Sequence, residues 1–327
     1  MDELFEKILY KAIDCHVTDI HFYLQNEVKV SMRRYGVLQS YVTLDIDEGG
    51  KLLNFIKYKS LIDLNYRLLP QTGRFKYTVE DKSYDLRVSY LPSKSFESIV
   101  IRILNNHKKF SLIDISPLEE IRDYLIKIVN KKNGLFIVSG STGSGKSTTL
   151  YTLIDLFIEK GGLNIITIED PVEMHKTGCI QIELNERGGI TYHDTLKQIL
   201  RHDPDVIVVG EVRDEITAKL CITCALTGHL VLTTLHAPNS LLTIKRLMNL
   251  DISKSDLESV LIGVLCQRIK YINNEKVLVL GELLNRKQVL NYLNKKTINY
   301  NNFLINSKIL IEEKKLDKSI FMEEFNE

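Results

Sequence analysis

Eight consecutive residues, Gly140-Ser141-Thr142-Gly143-Ser144-Gly145-Lys146-Ser147, fit the pattern G-x-x-x-x-G-K-[ST] without a mismatch. Glycines at these positions let the backbone curl so that successive N–H groups converge on one anion. A helix beginning at the end of such a loop adds the positive end of its dipole. The chemistry implied is the cradling of a nucleoside triphosphate by Gly140 through Thr148. Lys146 would reach the β- and γ-phosphates, and the Ser147 hydroxyl would hold Mg²⁺. A flexible Ser/Gly linker has a similar composition. The flanks argue against it, because Leu135-Phe136-Ile137-Val138 reads as a strand and Thr148 to Lys160 as a helix.

Binding alone does not cleave a phosphate. Cleavage needs an acid for the metal shell, a group that orients water and donors for the charge that builds on the transferred phosphoryl. The run from His202 to Glu211 is an apolar strand, Val206-Ile207-Val208-Val209, tipped by an acid. Parallel sheets place their ligands at such strand ends. Glu211 is therefore the candidate for Mg²⁺, acting directly or through water. Ile165 to Glu173 repeats the design, with Pro171 ending the strand and Glu169 and Asp170 at its tip. Glu169 is the candidate for polarising the attacking water. His229 and His236 frame the strand between them and are candidates for phosphate sensing or an interface role.

These groups need a scaffold, and the pattern of the chain supplies one. From Leu118 onward apolar runs alternate with helical stretches: Leu135–Ser139, Ile165–Ile168, Val206–Val209 and Leu230–Thr234. Such alternation predicts an α/β fold with a mostly parallel sheet covered on both faces. Beyond about residue 240 the pattern turns helical. Residues 1–104 predict a smaller α/β module. A helical face runs from Leu4 to Ile13, and strands are expected at Asp19–Leu24, Glu27–Met32 and Val37–Val42. A helix is expected over Lys51–Leu64, a hairpin over Gly73–Val79 and Tyr84–Tyr90, and a strand over Ser98–Leu104. Residues 105–116 are polar and read as a linker to a second domain over 117–327.

Bulk properties narrow the function classes. With 327 residues the length favours two domains, and a net charge of +1 gives no field that selects nucleic acid. No apolar run approaches the roughly 18 residues that span a bilayer. The acidic, amphipathic start, Met1 to Lys7, does not read as a signal peptide. A cytoplasmic protein is expected. Five scattered cysteines argue against a disulfide framework. Cys221 and Cys224 share one face of a helical stretch and read as small buried residues. A single C-x-x-C pair lacks the ligands of a four-coordinate zinc site.

The ordered boxes resemble a known family. The phosphate loop, the acidic box Glu169–Glu173, Asp203-Pro204-Asp205…Gly210-Glu211-Val212-Arg213-Asp214 and Thr227-Gly228-His229…Leu235-His236 occur in sequence. Together they resemble the ATPases of type II secretion and type IV pili. Thr18-Asp19-Ile20-His21, Pro70-Gln71-Thr72-Gly73-Arg74 and Leu86-Arg87-Val88-Ser89 are similar to that family's N-terminal signatures. The resemblance implies a RecA-like P-loop ATPase domain joined to a PAS-like N-terminal domain, and a homo-hexamer. It also implies a peripheral place on the cytoplasmic face of the membrane. The partners implied are a polytopic platform protein and pilin-like subunits, with no direct nucleic-acid binding. Arg74 and Arg87, with Arg102 beside them, correspond to arginine fingers. Glu169, Glu211, His229 and His236 correspond to the acidic and histidine boxes. Arg268, after Gln267, corresponds to a structural pair on a closing helix. The sequence departs from the family at Ser141, at Ile216 and at Ala237-Pro238-Asn239-Ser240. Lacking a tetracysteine module, it resembles the compact, competence-type branch of Gram-positive bacteria; the alternatives are a similarly compact pilus-retraction or other secretion ATPase and, in another class, a nucleotide-gated scaffold with little hydrolysis.

Overall fold

The computed structural model describes residues 1–65, 68–104, 109–185, 188–272 and 276–316. It divides into two compact units, Met1–Lys108 and Lys109–Glu327. Residues 105–108 of the expected linker and the chain beyond 316 fall outside the described residues.

The first unit is α1 (Asp2–Asp14), β1 (Asp19–Leu24), β2 (Val28–Arg34), β3 (Val37–Leu44), α2 (Ile46–Lys59), β4 (Gln71–Val79), β5 (Lys82–Pro92) and β6 (Glu97–Leu104). The six strands form one antiparallel sheet in the order β3-β2-β1-β6-β5-β4. Period-two alternation sends Ile20, Phe22, Val28, Val30, Leu86, Val88, Ile99 and Ile101 to one face. There they meet Phe5, Ile8 and Leu9 of α1 and Leu52, Leu53 and Ile56 of α2. Helix α2 starts five residues before the expected helix because Asp45 caps it, its carboxylate accepting from the N–H groups of Asp47 and Glu48 at 2.9 Å. It stops at Ser60, so the expected continuation to Leu64 does not form.

The opposite face carries a transverse row. Register pairs Arg33 with Asp19, Asp19 with Arg102, Arg102 with Arg87 and Arg87 with Arg74. Like charges directly opposite are unfavourable in a sheet. Two carboxylates temper the row. Asp19 Oδ1 accepts from Arg102 Nε at 2.8 Å, and the buried Asp85 carboxylate lies 3.6 Å from Arg74 Nε.

The second unit begins with α3 (Leu112–Ile115) and α4 (Glu119–Val129), then β7 (Gly134–Gly140), α5 (Lys146–Lys160), β8 (Ile165–Glu169), β9 (Ile180–Glu183) and α6 (Tyr192–Ile199). It continues with β10 (Val206–Val209), α7 (Glu215–Leu226), β11 (Leu230–Leu235), α8 (Ser240–Asn249), α9 (Lys254–Val260), β12 (Leu261–Ile272), β13 (Lys276–Asn285), α10 (Arg286–Leu293) and α11 (Phe303–Glu312). Seven strands form a sheet in the order β13-β12-β7-β11-β10-β8-β9. Every neighbouring pair is parallel except β12 with β13. Alternate residues of each central strand enter two separate cores. Ile137, Ile168, Ile207 and Val231 face α6 to α9, whereas Phe136, Val138, Val208 and Leu232 face α4, α5 and α11. This is the double-sided burial that their unbroken apolar runs predict.

Two expectations about this unit need correction. The region past residue 240 is not uniformly helical, since β12 and β13 make a long hairpin on the sheet. Gln267 and Arg268 consequently sit on a strand rather than on a closing helix. Strand β9 was also not anticipated. Its four residues are half-exposed and give little apolar signal.

Candidate functional site

Strand β7 is buried along its whole length and delivers the chain to the phosphate loop at its C-terminal end. Three glycines shape the turn, with positive φ at Gly140 (147°), Gly143 (76°) and Gly145 (89°). Gly140 is also a contact requirement. A Cβ there would lie 2.4 Å from both Gln267 O and Ser144 Oγ. Gly145 serves as N-cap of α5, so Lys146, Ser147 and Thr148 open the helix. Thr149 Oγ1 donates to the buried Gln267 Oε1 at 2.8 Å, which ties α5 to β12.

Lys146 is buried, and its Nζ donates to Gly140 O at 3.0 Å and Ser141 O at 2.7 Å. Burial pulls its pKa below the ordinary lysine value, opposed by the nearby carboxylates of Glu211 and Glu173. Ser144 Oγ is buried without a hydrogen-bond partner. A hooked ammonium, an unsatisfied hydroxyl and the open N-terminus of a fifteen-residue helix are together the donor set an anionic phosphate chain fits. Ser147 opens the same helix beside them. Among the described residues no group of three His, Cys, Asp or Glu side chains is placed to hold a metal ion. A magnesium ion here would therefore draw most of its ligands from phosphate oxygens and water, as is usual for that ion.

Glu211 follows β10 and is fixed by its neighbours on both sides. Gly210 N donates to Ile168 O at 2.8 Å, Thr234 Oγ1 donates to Gly210 O at 2.6 Å and Val212 N donates to Thr234 O at 2.9 Å. The Glu211 carboxylate accepts from Arg213 Nε at 2.7 Å, and His236 Nε2 lies 2.9 Å from its Oε1. Arg213 Nη1 also reaches Asp170 Oδ2 at 3.4 Å, bridging the tips of β8 and β10. Asp214 caps α7, accepting from Thr217 N at 2.7 Å.

Glu169, the candidate for polarising water, is enclosed by protein donors. Its carboxylate is buried. Oε1 accepts from Thr167 Oγ1 at 2.6 Å and Gln181 Nε2 at 3.1 Å, and Oε2 from the Tyr151 hydroxyl. Those donors reach both of its oxygens. Glu173, four residues on, is exposed and close enough to Lys146 to act on it electrostatically. It belongs to the acidic box, but nothing in its spacing alone marked it above Glu169.

The two histidines part company. Strand β11 runs parallel to β7, with Leu235 beside Ser139 and Leu230 beside Gly134. His236 thus emerges at the phosphate-loop end. His229 lies at the far end, six strand residues away, or roughly 20 Å at strand rise. Its Nδ1 sits 3.1 Å from Cys224 O and 3.1 Å from Thr227 Oγ1, at the C-terminus of α7. The Asp203-Pro204-Asp205 stretch lies at that same far end. Asp205 Oδ2 accepts from Asn164 N at 2.7 Å, and Asn164 Nδ2 donates to His202 O at 2.7 Å. The departures Asn239 and Ser240 are structural as well. Asn239 caps α8, and Ser240 is bound to Glu282.

A family model for type II/IV secretion system proteins matches residues 1–296 of this chain. The chain belongs to that family. It is 36% identical over 265 residues to the competence protein ComGA of Halalkalibacterium halodurans, covering 80% of this chain and 76% of that protein. It is 37% identical over 268 residues to the type II secretion system protein E of Pseudomonas aeruginosa, covering 81% of this chain but 53% of that longer protein. Among solved structures, the pilus retraction motor PilT with bound ADP matches with a TM-score of 0.75 at 26% identity, covering 97% of this chain and 96% of that one. The fold is accordingly the RecA-like P-loop ATPase domain with its N-terminal companion, and the chain is an ATPase of the secretion family. Among the described residues no helix is long and apolar enough to cross a membrane.

Proposed function

We propose that the chain is an ATP-driven motor that powers assembly of a pilus-like filament serving competence and DNA uptake. The observation that carries this reading is the joint presence of an intact phosphate loop and the similarity to ComGA over four-fifths of the chain. The acid-tipped strand beside the loop supports hydrolysis rather than binding alone. Six copies would form a ring at the cytoplasmic face of the membrane, acting on a polytopic platform protein that adds pilin-like subunits.

In this reading Gly140 to Thr148 bind the triphosphate, with Lys146 exchanging its two carbonyl partners for phosphate oxygens. Ser147 and Glu211 would hold Mg²⁺, which supplies charge neutralisation at those oxygens. Glu211, clamped by Arg213 and His236, keeps a fixed carboxylate at the metal side. Glu173, on the acidic turn and within electrostatic reach of Lys146, would take the water-orienting role expected of Glu169. Arg74 and Arg87 would supply guanidinium forks to the developing phosphoryl charge, which suits arginine better than lysine.

Steady-state phosphate release from the full chain tests the reading, with Lys146→Ala and Glu211→Gln as controls. Wild-type turnover in both variants would overturn the motor. Stimulation of turnover by nucleic acid would favour a translocase instead. Loss of transformation, with loss of surface filaments, on introducing Lys146→Ala into the cell is the expected outcome. The similarity to PilT leaves filament retraction as the second reading. Filaments that persist in that strain would favour it.

A further inference from the structure

The phenol of Tyr151 stands outside the recognised boxes, yet its oxygen bonds both ends of the acidic box, Glu169 and Glu173. We propose that Tyr151 is a positioning residue for the acidic turn, its oxygen fixing the backbone at Glu173 so that this carboxylate is presented to the phosphate loop. The inference rests on the reading of that loop as the ATP site.

Tyr151 lies one helical turn beyond Ser147 on α5, and it is 4% exposed. Its hydroxyl donates to Glu169 Oε2 and accepts from Glu173 N at 3.1 Å and Met174 N at 3.0 Å. One donor and two acceptor lone pairs are the whole capacity of a phenol oxygen, and all are used. Glu169 in turn holds Gln181, whose Nε2 also donates to Met174 O at 2.9 Å. Val172 N donates to Glu183 Oε2 at 3.1 Å, so the backbone is held at 172, 173 and 174 while the Glu173 side chain stays exposed. The buried Glu169 acquires a purpose here. It orients the Tyr151 proton, leaving both lone pairs for the turn. Because Tyr151 and the phosphate-binding residues share one helix, the turn moves with the loop rather than independently of it. Burial beside Glu169 raises the phenol well above its ordinary pKa, so it keeps the proton that this geometry needs.

Tyr151→Phe keeps the ring in its core and deletes only the oxygen. In the full chain we expect amide exchange at Glu173 and Met174 to accelerate on the order of 10-fold, with the rest of α5 unchanged. The kcat for ATP should fall on the order of 10-fold while KM stays within about twofold. Glu173→Gln should fall further, and the double variant no further than Glu173→Gln alone. Unchanged exchange at the two amides overturns the positioning role. Faster exchange with wild-type kcat, or losses that multiply in the double variant, overturns it too. Wild-type kcat in Glu173→Gln removes the role of the turn and this inference with it. By contrast, tight ATP binding by Lys146→Ala would overturn the site reading itself, which separates the two failures.

Discussion

His236 Nε2 lies 2.9 Å from Glu211 Oε1, joining the ends of two adjacent parallel strands at the phosphate-loop edge of the sheet. At that separation the imidazole constrains where the carboxylate can sit. His236→Ala should slow turnover by roughly 10-fold if that contact orients Glu211 for catalysis. Glu211→Gln removes the charge itself, and a loss on the order of 100-fold or more is expected. His229→Ala acts elsewhere. It frees Cys224 O and Thr227 at the foot of α7, so nucleotide affinity should stay within about twofold while the melting temperature falls. Titration with a fluorescent ATP analogue, phosphate release and a thermal melt distinguish the three. Weakened affinity in His229→Ala would contradict the placement of the two histidines at opposite edges.

The glycines of the loop are unequal. Gly140 has φ +147° and no room for a Cβ, whereas Gly143 has φ +76° and no atom within 4 Å of the site a Cβ would take. Gly143→Ala incurs mainly the left-handed backbone cost, about 1–2 kcal/mol. Gly140→Ala must also push Gln267 O or Ser144 away, and with them the tie between α5 and β12. We expect Gly143→Ala to bind ATP with weakened affinity and Gly140→Ala to lose binding and stability together. Calorimetric titration alongside thermal melts checks the order. Equal behaviour of the two variants would mean the loop is not held as described.

What the residues disclosed before the structure follows from where each signal comes from. The β7–loop–α5 unit was legible because glycine placement, buried β-type residues and helical periodicity agree locally. The strand-end acids were legible for the same reason. The division of labour among them was not. Whether Glu169 faces water or protein depends on Tyr151, Thr167 and Gln181, and only Thr167 is close in sequence. The opposite placement of His229 and His236 follows from strand direction, which a symmetric frame around β11 does not disclose. The β12–β13 hairpin was missed because polar and charged residues such as Gln267, Arg268 and Glu282 interrupt its apolar pattern. Buried contacts to Thr149 and Ser240 satisfy Gln267 and Glu282.

Cysteine reactivity follows from burial. Burial pushes the thiols of Cys179, Cys224 and Cys266 up to about 11 from an ordinary 9.0, and Cys221 higher still. The thiolate is the nucleophile, and a rise of that size leaves roughly 100-fold less of it near pH 8. Cys15 is partly exposed. Iodoacetamide at pH 8 should label Cys15 first, the partly exposed Cys179 more slowly because its thiol is raised, and the three buried cysteines only on unfolding, with peptide mass mapping as the readout. Rapid labelling of Cys221 or Cys224 in the folded chain would show that α7 is not packed as described.

Arg87 offers the most direct test of the N-terminal arginines. Its side chain is exposed on β5, between Arg74 and Arg102 in register, and among the described residues it forms no ion pair. Arg102 is engaged with Asp19, and Arg74 with the buried Asp85. Removing Arg74 takes a counter-charge from a buried acid, so Arg74→Ala should lose stability as well as rate. Arg87→Ala should leave the melting temperature unchanged, since it also relieves repulsion within the row. If the guanidinium meets phosphoryl charge in the working ring, kcat falls on the order of 1,000-fold. Arg87→Lys should recover little of that, because an ammonium cannot make the two parallel donations of the fork. Assembled protein assayed for phosphate release at saturating ATP gives the answer. Wild-type turnover in Arg87→Ala would take this arginine out of the reaction and leave the row an ordinary solvated sheet face.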